Sequence, residues 1–318
     1  MLSSSRPEKN NKNFSYLCSP MNQQTLKKEY TFEGRGLHTG HYAHLTICPA
    51  SENHGITFLR TDAGVEIPAL ASKVTRTDRS TTITEGEVSV ITIEHLLSAL
   101  TGLGVDNALI KVDNDEVPIL DGSAETYVRA IAPDGLRVQS APRRYVEIKE
   151  EIIVQDEKTG SWVKLTPSDH FSLELTVDFG SKVLGVQNCS WDERSDYVGQ
   201  IAPCRTFCFF HELEYLASLG LVKGGDVDNA IVIVEHPVSE EQIGKMCSLF
   251  GQPRLSVTEQ GYLSNITLHF PNECGRHTML DLIGDIRLVG GYPKAHVSAY
   301  KPGHKINSTA AKAVLSNL

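Results

Sequence analysis

The chain has 318 residues, of which 40% are hydrophobic and 22% are charged, as in a globular protein long enough for two domains. Its formal net charge of −9 argues against a protein that holds nucleic acid through a broad basic surface. No apolar run reaches the roughly 18 residues of a membrane-spanning helix, so we expect no membrane span.

The first residues, 1–21, are polar and lack the apolar core of a signal peptide, which predicts a disordered N-terminal tail. The seven cysteines are scattered without a CxxC pair, which indicates a reducing compartment. Cys204 and Cys208 are four residues apart, and we interpret them as small apolar residues rather than metal ligands. We therefore expect a cytoplasmic protein.

Strand patterns dominate the first third of the chain. Short β-branched segments predict strands at 44–50, 55–61, 80–86 and 88–93. The segment "EHLLSALTGLG" (94–104) predicts a helix that ends at a glycine, and "VDNALIKVD" (105–113) predicts the next strand. A second helix follows, with Asp121 or Ser123 as its cap.

The second half repeats this order of elements. The segment "HELEYLASLG" (211–220) predicts a helix that ends at a glycine. The strand pattern that follows, "DVDNAIVIV" (226–234), is identical to "GVDNALIKV" (104–112) at five of nine positions. The match predicts a duplicated domain, with the join near 139–145, where Ser, Pro and Arg interrupt the periodicity.

These patterns predict an α+β fold of two similar domains, 22–143 and 144–318, with an insertion around 235–270. The segment 146–167 predicts a hairpin around "DEKTG". Near the C-terminus we expect a helix at 276–289, then a strand, a glycine turn and a final helix.

Three polar residues are spaced four apart in the helical pattern "RHTMLDLIGD". They are His277, Asp281 and Asp285, and this spacing places them on one helical face. The pair His277 and Asp281 has the chemistry of two zinc ligands. A solvated helix face with a chance histidine is the alternative.

A third ligand has to come from elsewhere in the chain. His95 is the best candidate, because it lies at a predicted strand-to-helix junction. The adjacent carboxylate of Glu94 is well placed to take a proton from a water at the metal. The alternative is that Glu94 is a favourable charge at the start of a helix and His95 a core residue.

Two further segments carry groups with possible chemical roles. His304 follows a glycine in "KPGHKIN", and Lys301 in the same turn is a candidate phosphate contact. Thr206 in "CRTFCF" has a hydroxyl that can donate to an oxyanion. Each has a simpler alternative, as a turn residue for His304 and Lys301 and as a strand residue for Thr206.

Eight segments occur in the same order as in one known family. They are "GRGLHTG", "TIEHLLSAL", "GVDNALIKV", "VPILDGSA", "RTFCF", "GLVKGGDVDNAIV", "RHTMLDLIGD" and "AYKPGHKIN". Over residues 22–318 the chain resembles the LpxC family, the UDP-3-O-acyl-N-acetylglucosamine deacetylases of lipid A biosynthesis in Gram-negative bacteria. A match to any one of these segments is weak evidence for a family, but eight matches in the same order are specific. The resemblance implies two similar α+β domains, each a β-sheet, with helices packed between the two sheets.

The resemblance also implies a zinc-dependent amide hydrolase. The implied Zn²⁺ ligands are His95, His277 and Asp281. Glu94 would be the general base, and Thr206 would help to polarise the amide carbonyl. His304 would be the cationic partner or general acid, oriented by Asp285.

The substrate implied by the resemblance is a UDP-linked acylated glucosamine. Asp178 and Phe179 match the uridine-contacting pair of the family, and Lys301 matches a family lysine. The other positions that match substrate-binding residues are Leu37, Phe207, Phe210, Leu213, Val222, Val227 and Val232. The last five of these would line an apolar passage for the acyl chain, and packing in the core is the alternative for each.

One position departs from the family pattern. Thr278 stands where the family usually has a lysine, directly after the first zinc histidine of its helix. That lysine lies near the substrate phosphate or the leaving group in relatives. We therefore expect Lys301 to carry more of the phosphate contact.

Two other functions stay open from the sequence. One is another zinc amidase on the same scaffold, and the other is a non-catalytic protein that binds an acylated nucleotide. The family also occurs fused to a dehydratase of the fatty-acid pathway. We expect the chain to be either a monomeric enzyme or the first part of a fused enzyme.

Overall fold

The computed structural model describes residues 21–218, 223–225, 229–249, 254–264 and 267–317. Apart from Met21, the predicted tail 1–21 lies outside the described residues. Within these ranges, no helix is both long enough and apolar enough to cross a membrane.

The first half of the chain is rich in strands. They are β1 (Asn22–Leu26), β2 (Tyr30–Arg35), β3 (Tyr42–Pro49), β4 (Ile56–Arg60), β5 (Val65–Pro68), β6 (Val74–Arg76), β7 (Thr82–Glu85), β8 (Val88–Val90), β9 (Ala108–Val112) and β10 (Leu136–Pro142). Its helices are α1 (Glu94–Leu103) and α2 (Glu125–Ile131).

The first large sheet has the strand order β2-β3-β9-β4-β5. Neighbouring strands are antiparallel, except that β9 and β4 are parallel. Its inner face follows from the alternation of the sequence, since Ala43, Leu45 and Ile47 of β3 are fully buried and the side chains between them are not. Of these five strands, β9 is the last in the sequence, yet it lies in the middle of the sheet.

The second half continues with strands and the remaining helices. The strands are β11 (Tyr145–Glu147), β12 (Ile152–Asp156), β13 (Ser161–Pro167), β14 (Ser172–Asp178), β15 (Val186–Asp192), β16 (Phe207–Phe209), β17 (Ile231–Ile233) and β18 (Tyr292–Tyr300). The helices are α3 (Tyr197–Gln200), α4 (Phe210–Ser218), α5 (Glu240–Leu249), α6 (Glu273–Ile286) and α7 (His304–Ser316).

The second large sheet has the order β12-β13-β18-β14-β15, with β11 paired to the start of β18. Within this order only the central strand β18 and its neighbour β14 are parallel, as with β9 and β4. The shared topology supports the predicted duplication of one α+β unit. However, the repeated segment 226–234 contains β17, which lies outside both large sheets. The equivalent of β9 is β18, so the interpretation of 104–112 and 226–234 as equivalent strands is wrong.

One continuous apolar core joins both large sheets to α1, α2, α6 and α7. Helices α1 and α6 cross in close contact within it. A Cβ atom at Gly284 of α6 would lie 2.1 Å from the carbonyl oxygen of Glu94, so only glycine permits this approach. The backbones of the two helices therefore touch at the first residue of α1.

The region predicted as an insertion, 235–270, packs against a small unit formed by β16, α4 and β17. Strands β16 and β17 are parallel and are linked through α4. Their side chains form a second apolar cluster with α5 and the segment after it: Phe210, Leu213, Val232, Val234, Met246, Leu255 and Leu263. The insertion therefore shares its core with residues that begin before 235.

Several element boundaries differ from those predicted. The strand predicted at 88–93 ends at Val90, because the backbone turns at Thr92, whose φ is 61°. Helix α6 begins at Glu273 rather than Arg276, and the final helix begins at His304. Other predicted features are confirmed, such as the hairpin of β12 and β13.

Candidate active site

Two helices from different halves of the chain build the candidate metal centre. His95 is the second residue of α1, whereas His277 and Asp281 lie one turn apart on α6. One ligand atom from each of the three side chains lies within 4.8 Å of the other two. Asp281 Oδ1 is 3.5 Å from His95 Nε2, and Asp281 Oδ2 is 3.5 Å from His277 Nε2. The structure thus brings the three predicted ligands together.

The donor set fits a divalent metal. Two imidazoles and one carboxylate leave a fourth position for water or substrate, as in catalytic zinc sites. His277 Nδ1 donates to the Cys204 carbonyl oxygen at 3.0 Å, which orients the ring and leaves Nε2 free to bind. Burial lowers the pKa of His277 to about 4, so this imidazole is neutral. Asp281 Oδ1 is buried without a hydrogen-bond partner among the described residues, as expected of a metal ligand.

Glu94 begins α1 and places its carboxylate beside the metal centre. Its Oε2 accepts the Thr81 N–H at 3.0 Å, and its Oε1 lies 3.9 Å from His304 Nε2. Burial raises the pKa of Glu94 to about 7, although the positive charge of His304 opposes the rise. A carboxylate with this pKa can take up a proton near neutral pH.

His304 begins α7 and is held by the buried carboxylate of Asp285. His304 Nδ1 donates to Asp285 Oδ2 at 3.1 Å, and Asp285 also accepts from the Thr81 hydroxyl at 2.6 Å and the Asn307 amide at 3.0 Å. Burial disfavours the imidazolium, but the carboxylates of Glu94 and Asp285 outweigh it and raise the pKa of His304 to about 10. The ring is therefore cationic at neutral pH, as the predicted role of Asp285 requires.

Thr206 lies in the short segment that leads from Cys204 into β16. Its backbone N–H donates to the Gly122 carbonyl at 2.8 Å, and its carbonyl accepts the Ile231 N–H at 2.8 Å. The Cys204 carbonyl in the same segment accepts from His277. The segment is thus anchored beside the metal centre, and the action of Thr206 on a substrate carbonyl stays a prediction.

A buried ion pair fixes this segment to α6. Arg205 Nε donates to Glu273 Oε1 at 2.9 Å, and Arg205 Nη2 donates to Glu273 Oε2 at 3.2 Å. Glu273 also accepts the backbone N–H groups of Arg205 and His269. It is the first residue of α6, where the helix dipole favours a carboxylate. The pair therefore holds the segment of Thr206 against the helix of His277.

Replacing Glu273 by glutamine should lower the free energy of unfolding by about 3–5 kcal/mol, because the Arg205 guanidinium is left buried without its counter-charge. Urea denaturation at neutral pH measures this change. The matched control is Glu241→Gln, since Glu241 forms an exposed pair with Lys245 on α5 and should contribute little. Equal destabilisation by the two substitutions would contradict a structural role for the buried pair.

Aromatic rings connect the metal centre to the predicted uridine site. The Phe207 ring lies edge-on to the His277 ring, with centroids 6.2 Å apart, and edge-on to Phe179, at 5.4 Å. Phe179 is 44% exposed, which is unusual for so large an apolar side chain. An exposed ring at this place suits stacking on a nucleotide base.

Asp178 and Lys301, predicted to contact uridine and phosphate, are neighbours in the structure. Lys301 Nζ lies 3.3 Å from Asp178 Oδ2 in a partly exposed ion pair. The Gly180 N–H and the Lys301 ammonium both lower the pKa of Asp178. A phosphate that binds Lys301 would therefore compete with Asp178 for the same ammonium group.

Thr278, at the position of the family lysine, is buried, and its hydroxyl donates to the Cys274 carbonyl at 3.0 Å. It satisfies a carbonyl of its own helix and carries no charge. None of the contacts of Thr278 supplies the positive charge of the family lysine. Lys301 remains the predicted substitute for that charge.

Leu37 lies in the loop 36–40, which packs against the short segment 223–225. The Gly224 N–H donates to the Leu37 carbonyl at 3.0 Å, and a Cβ at Gly224 would lie 2.1 Å from another carbonyl oxygen of the loop. The buried Glu116 carboxylate accepts two backbone N–H groups of the loop. Leu37 itself is half-buried, and its contact with substrate stays a prediction.

The predicted acyl passage is only partly within the described residues. Phe210, Leu213 and Val232 are buried and pack together with side chains of α5. Val222 and Val227 lie outside the described residues. Their lining of an acyl passage stays a prediction, and the packing of the first three is also what a small core requires.

Sequence reasoning missed several residues that hold the site together. Thr81 contacts Glu94, Asp285 and His304, yet it lies in an ordinary strand pattern. No local signal identifies it, because its partner His304 is 223 residues away. For Asn307 a signal exists, since a spacing of three from His304 places both residues on one face of a helix.

Comparison with known proteins gives a consistent result. The family model LpxC, described as UDP-3-O-acyl N-acetylglycosamine deacetylase, matches residues 23–246 and 252–316. A protein of Porphyromonas gingivalis named bifunctional enzyme LpxC/FabZ is 44% identical over 92% of this chain and 64% of its own length. A protein of Myxococcus xanthus named UDP-3-O-acyl-N-acetylglucosamine deacetylase is 38% identical over 94% of this chain and 88% of its own length.

The chain spans 64% of the length of two bifunctional relatives, the second being a protein of Bacteroides thetaiotaomicron with 41% identity. The ranges matched by the family model contain Glu94 and all three candidate metal ligands. The α+β fold and the convergence of α1 and α6 agree with this match. On these grounds the chain belongs to the LpxC family of UDP-3-O-acyl N-acetylglycosamine deacetylases.

Proposed function

We propose that the chain is a zinc-dependent amide hydrolase that removes the acetyl group from UDP-3-O-(3-hydroxyacyl)-N-acetylglucosamine, the committed step of lipid A biosynthesis. The observation that carries the proposal is a three-ligand centre that adjoins both a buried carboxylate and a cationic histidine. The names of the relatives from Myxococcus xanthus and Teredinibacter turnerae support the substrate.

Zinc is the metal that this donor set favours. Imidazole nitrogens suit zinc better than magnesium or calcium, which prefer oxygen ligands. His95, His277 and Asp281 would hold the ion. When bound, the ion supplies Lewis acidity to the amide carbonyl and lowers the pKa of water.

The protein's own residues move the protons. Glu94 accepts the proton of the attacking water, while the Thr81 N–H holds its second oxygen in place. The Thr206 hydroxyl donates to the oxygen of the carbonyl as negative charge develops there. His304, kept cationic by Asp285, donates a proton to the departing amine, and the protonated Glu94 is the alternative donor. The products are acetate and the free amine of the sugar nucleotide.

The rest of the substrate extends from the metal centre along the aromatic rings. Phe179 stacks on uracil, and Asp178 accepts from the uridine. Phe207 lies between Phe179 and His277, so the sugar passes beside it. Lys301 contacts the diphosphate. The acyl chain follows the apolar side chains of the unit built from β16, α4 and β17.

Acetate release measured together with metal content tests this function. The expected result is acetate release from the acylated UDP-sugar, loss of activity on chelation and recovery on addition of zinc. Equal turnover of plain N-acetylglucosamine would favour another zinc amidase on the same scaffold. Full zinc content without acetate release would favour a protein that only binds the acylated nucleotide.

Lys301→Ala should raise the KM for the UDP-sugar and leave kcat little changed, because a phosphate contact made equally in ground and transition states affects binding alone. The effect should be larger at low salt, where screening of the ammonium is weak. Steady-state kinetics at two salt concentrations measure it. Thr278→Lys in the same chain should recover part of the loss.

The control for this prediction is Lys305→Ala. Lys305 lies four residues further on and pairs with Asp156 at the surface, at 3.2 Å. Its removal should leave the KM unchanged at both salt concentrations. A KM that is equally unchanged in Lys301→Ala would mean that Lys301 does not bind the phosphate.

The relatives and the free thiols support a proposal for the cellular setting. Three relatives named bifunctional enzyme LpxC/FabZ support a fused enzyme as an alternative to a monomer. The six cysteines within the described residues are free thiols, which agrees with a reducing cytoplasm. The resulting proposal is a cytoplasmic enzyme with a sugar nucleotide as its small-molecule partner.

A further inference from the structure

A second cleft lies beyond the C-terminal end of α6. Arg287, on its wall, follows His277 by ten residues, a distance of about 15 Å along a helix. The larger of two adjoining cavities has a volume of about 360 Å³, within the roughly 300–1,000 Å³ of small-molecule sites. Both cavities are lined by Asn53, Arg144 and Arg287. None of the residues of the metal centre contributes to this cleft.

The cleft has an apolar wall and a basic wall. Ile56, Leu70, Val146 and Val289 are among its apolar lining residues. Its polar lining consists of Asn53, His54, Arg144 and Arg287. The lining of the larger cavity includes no carboxylate. The larger cavity is therefore amphiphilic, with only positive or neutral polar groups on its wall, whereas Asp106 lines the smaller one.

Arg287 is a buried guanidinium with an incomplete set of partners. It is 5% exposed, and its Nη atoms donate to the backbone carbonyls of Gly291, Val105 and Asp106. Its Nε is buried without a hydrogen-bond partner among the described residues. Burial lowers the pKa of Arg287 to about 10, which still leaves the side chain charged at neutral pH.

The carboxylate near Arg287, that of Asp106, is already engaged. The Asp106 side chain accepts from Arg143 at 2.9 Å in a buried ion pair. Arg144 is exposed and forms no ion pair within the described part of the chain. Within the described residues, neither Arg287 nor Arg144 forms an ion pair, and a buried cation without a counter-ion is costly.

We propose that this cleft binds a small amphiphilic carboxylate, whose head pairs with Arg287 and Arg144 and whose apolar part lies against Ile56, Leu70 and Val289. A carboxylate matches the planar donors of a guanidinium. An inorganic anion would leave the apolar wall uncovered, and an amine would meet like charge.

Isothermal titration calorimetry of the full chain with octanoate tests the site. The variants are Arg287→Met and Arg144→Gln, and the matched control is Arg137→Gln, an exposed arginine of β10 that lines neither cavity. Each cleft variant should weaken octanoate binding about tenfold or more, since a hydrogen bond to a charged group contributes about that factor. The control should bind as the parent chain does. Octylamine and inorganic phosphate should bind at least about tenfold more weakly than octanoate.

Other outcomes would overturn the proposal. Equal octanoate affinity in all variants would mean that octanoate binds elsewhere, such as an acyl site beside the metal centre. Absence of saturable binding would exclude the site altogether. Octylamine or phosphate binding as tight as that of octanoate would exclude recognition by charge or by the apolar wall. Arg144→Gln changes an exposed side chain, so the test remains valid if Arg287→Met fails to fold.

Discussion

Glu94→Gln should lower kcat for acetate release by about 10²–10⁴-fold, the usual contribution of a general base. Glutamine has the shape of glutamate, and its carbonyl oxygen can still accept the Thr81 N–H. It cannot accept a proton from water, however, so the chemical step loses its base. Zinc content measured on the same preparation should stay at that of the parent chain.

Glu87→Gln is the matched control for this substitution. Glu87 is exposed in the turn between β7 and β8, so the same change of charge there should leave kcat unaffected. A near-normal kcat in Glu94→Gln, with full zinc, would remove Glu94 from the mechanism. The mechanism would then need a different base, and the neighbouring carboxylate Asp285 would be the first to consider.

Asp281→Ala and His95→Ala should each lose most of the bound metal and nearly all activity. A catalytic zinc site has three protein ligands, so about one zinc per chain is expected in the parent and a large deficit in each variant. The two residues lie on different helices, which makes them independent tests of the shared centre. Elemental analysis after dialysis measures the metal content.

Glu94→Gln serves here as the comparison, because it should keep zinc while losing turnover. The ligand variants should lose both, and added zinc should restore activity only to the chelated parent chain. Full zinc content in both Asp281→Ala and His95→Ala would show that these residues are not ligands. Because both kinds of variant lose turnover, the difference in metal content distinguishes the general base from the metal ligands.

Spacing alone predicted the shared helical face of three polar residues, with a solvated face as the alternative to a metal site. A separation of four residues in a helix is a local property, so His277, Asp281 and Asp285 could be placed on one face. The role of His95 was harder to predict, because its position opposite α6 depends on the packing of two helices that are distant in the sequence. The eight matching segments supplied that information, and the structure brings the ligand atoms together.

Contacts over long sequence distances explain what the sequence did not predict. Thr81 and Glu273 have no local pattern, since their partners Asp285 and Arg205 lie 204 and 68 residues away in the sequence. The repeat "VDNA" was misleading for a related reason. Similar short apolar sequences recur in buried strands in general. The equivalent of β9 is strand β18, which occupies the same position in its sheet but has a different sequence.

The backbone contact between Gly284 and Glu94 has a consequence for the protein that lacks its metal. Because the ligands come from both α1 and α6, an ion binds only while these helices stay docked, and its binding free energy adds to the stability of that docking. Loss of the proposed ion should therefore weaken the docking of α1 on α6. Transient opening at this contact should then be more frequent, and the rate of proteolysis with and without a chelator would measure it.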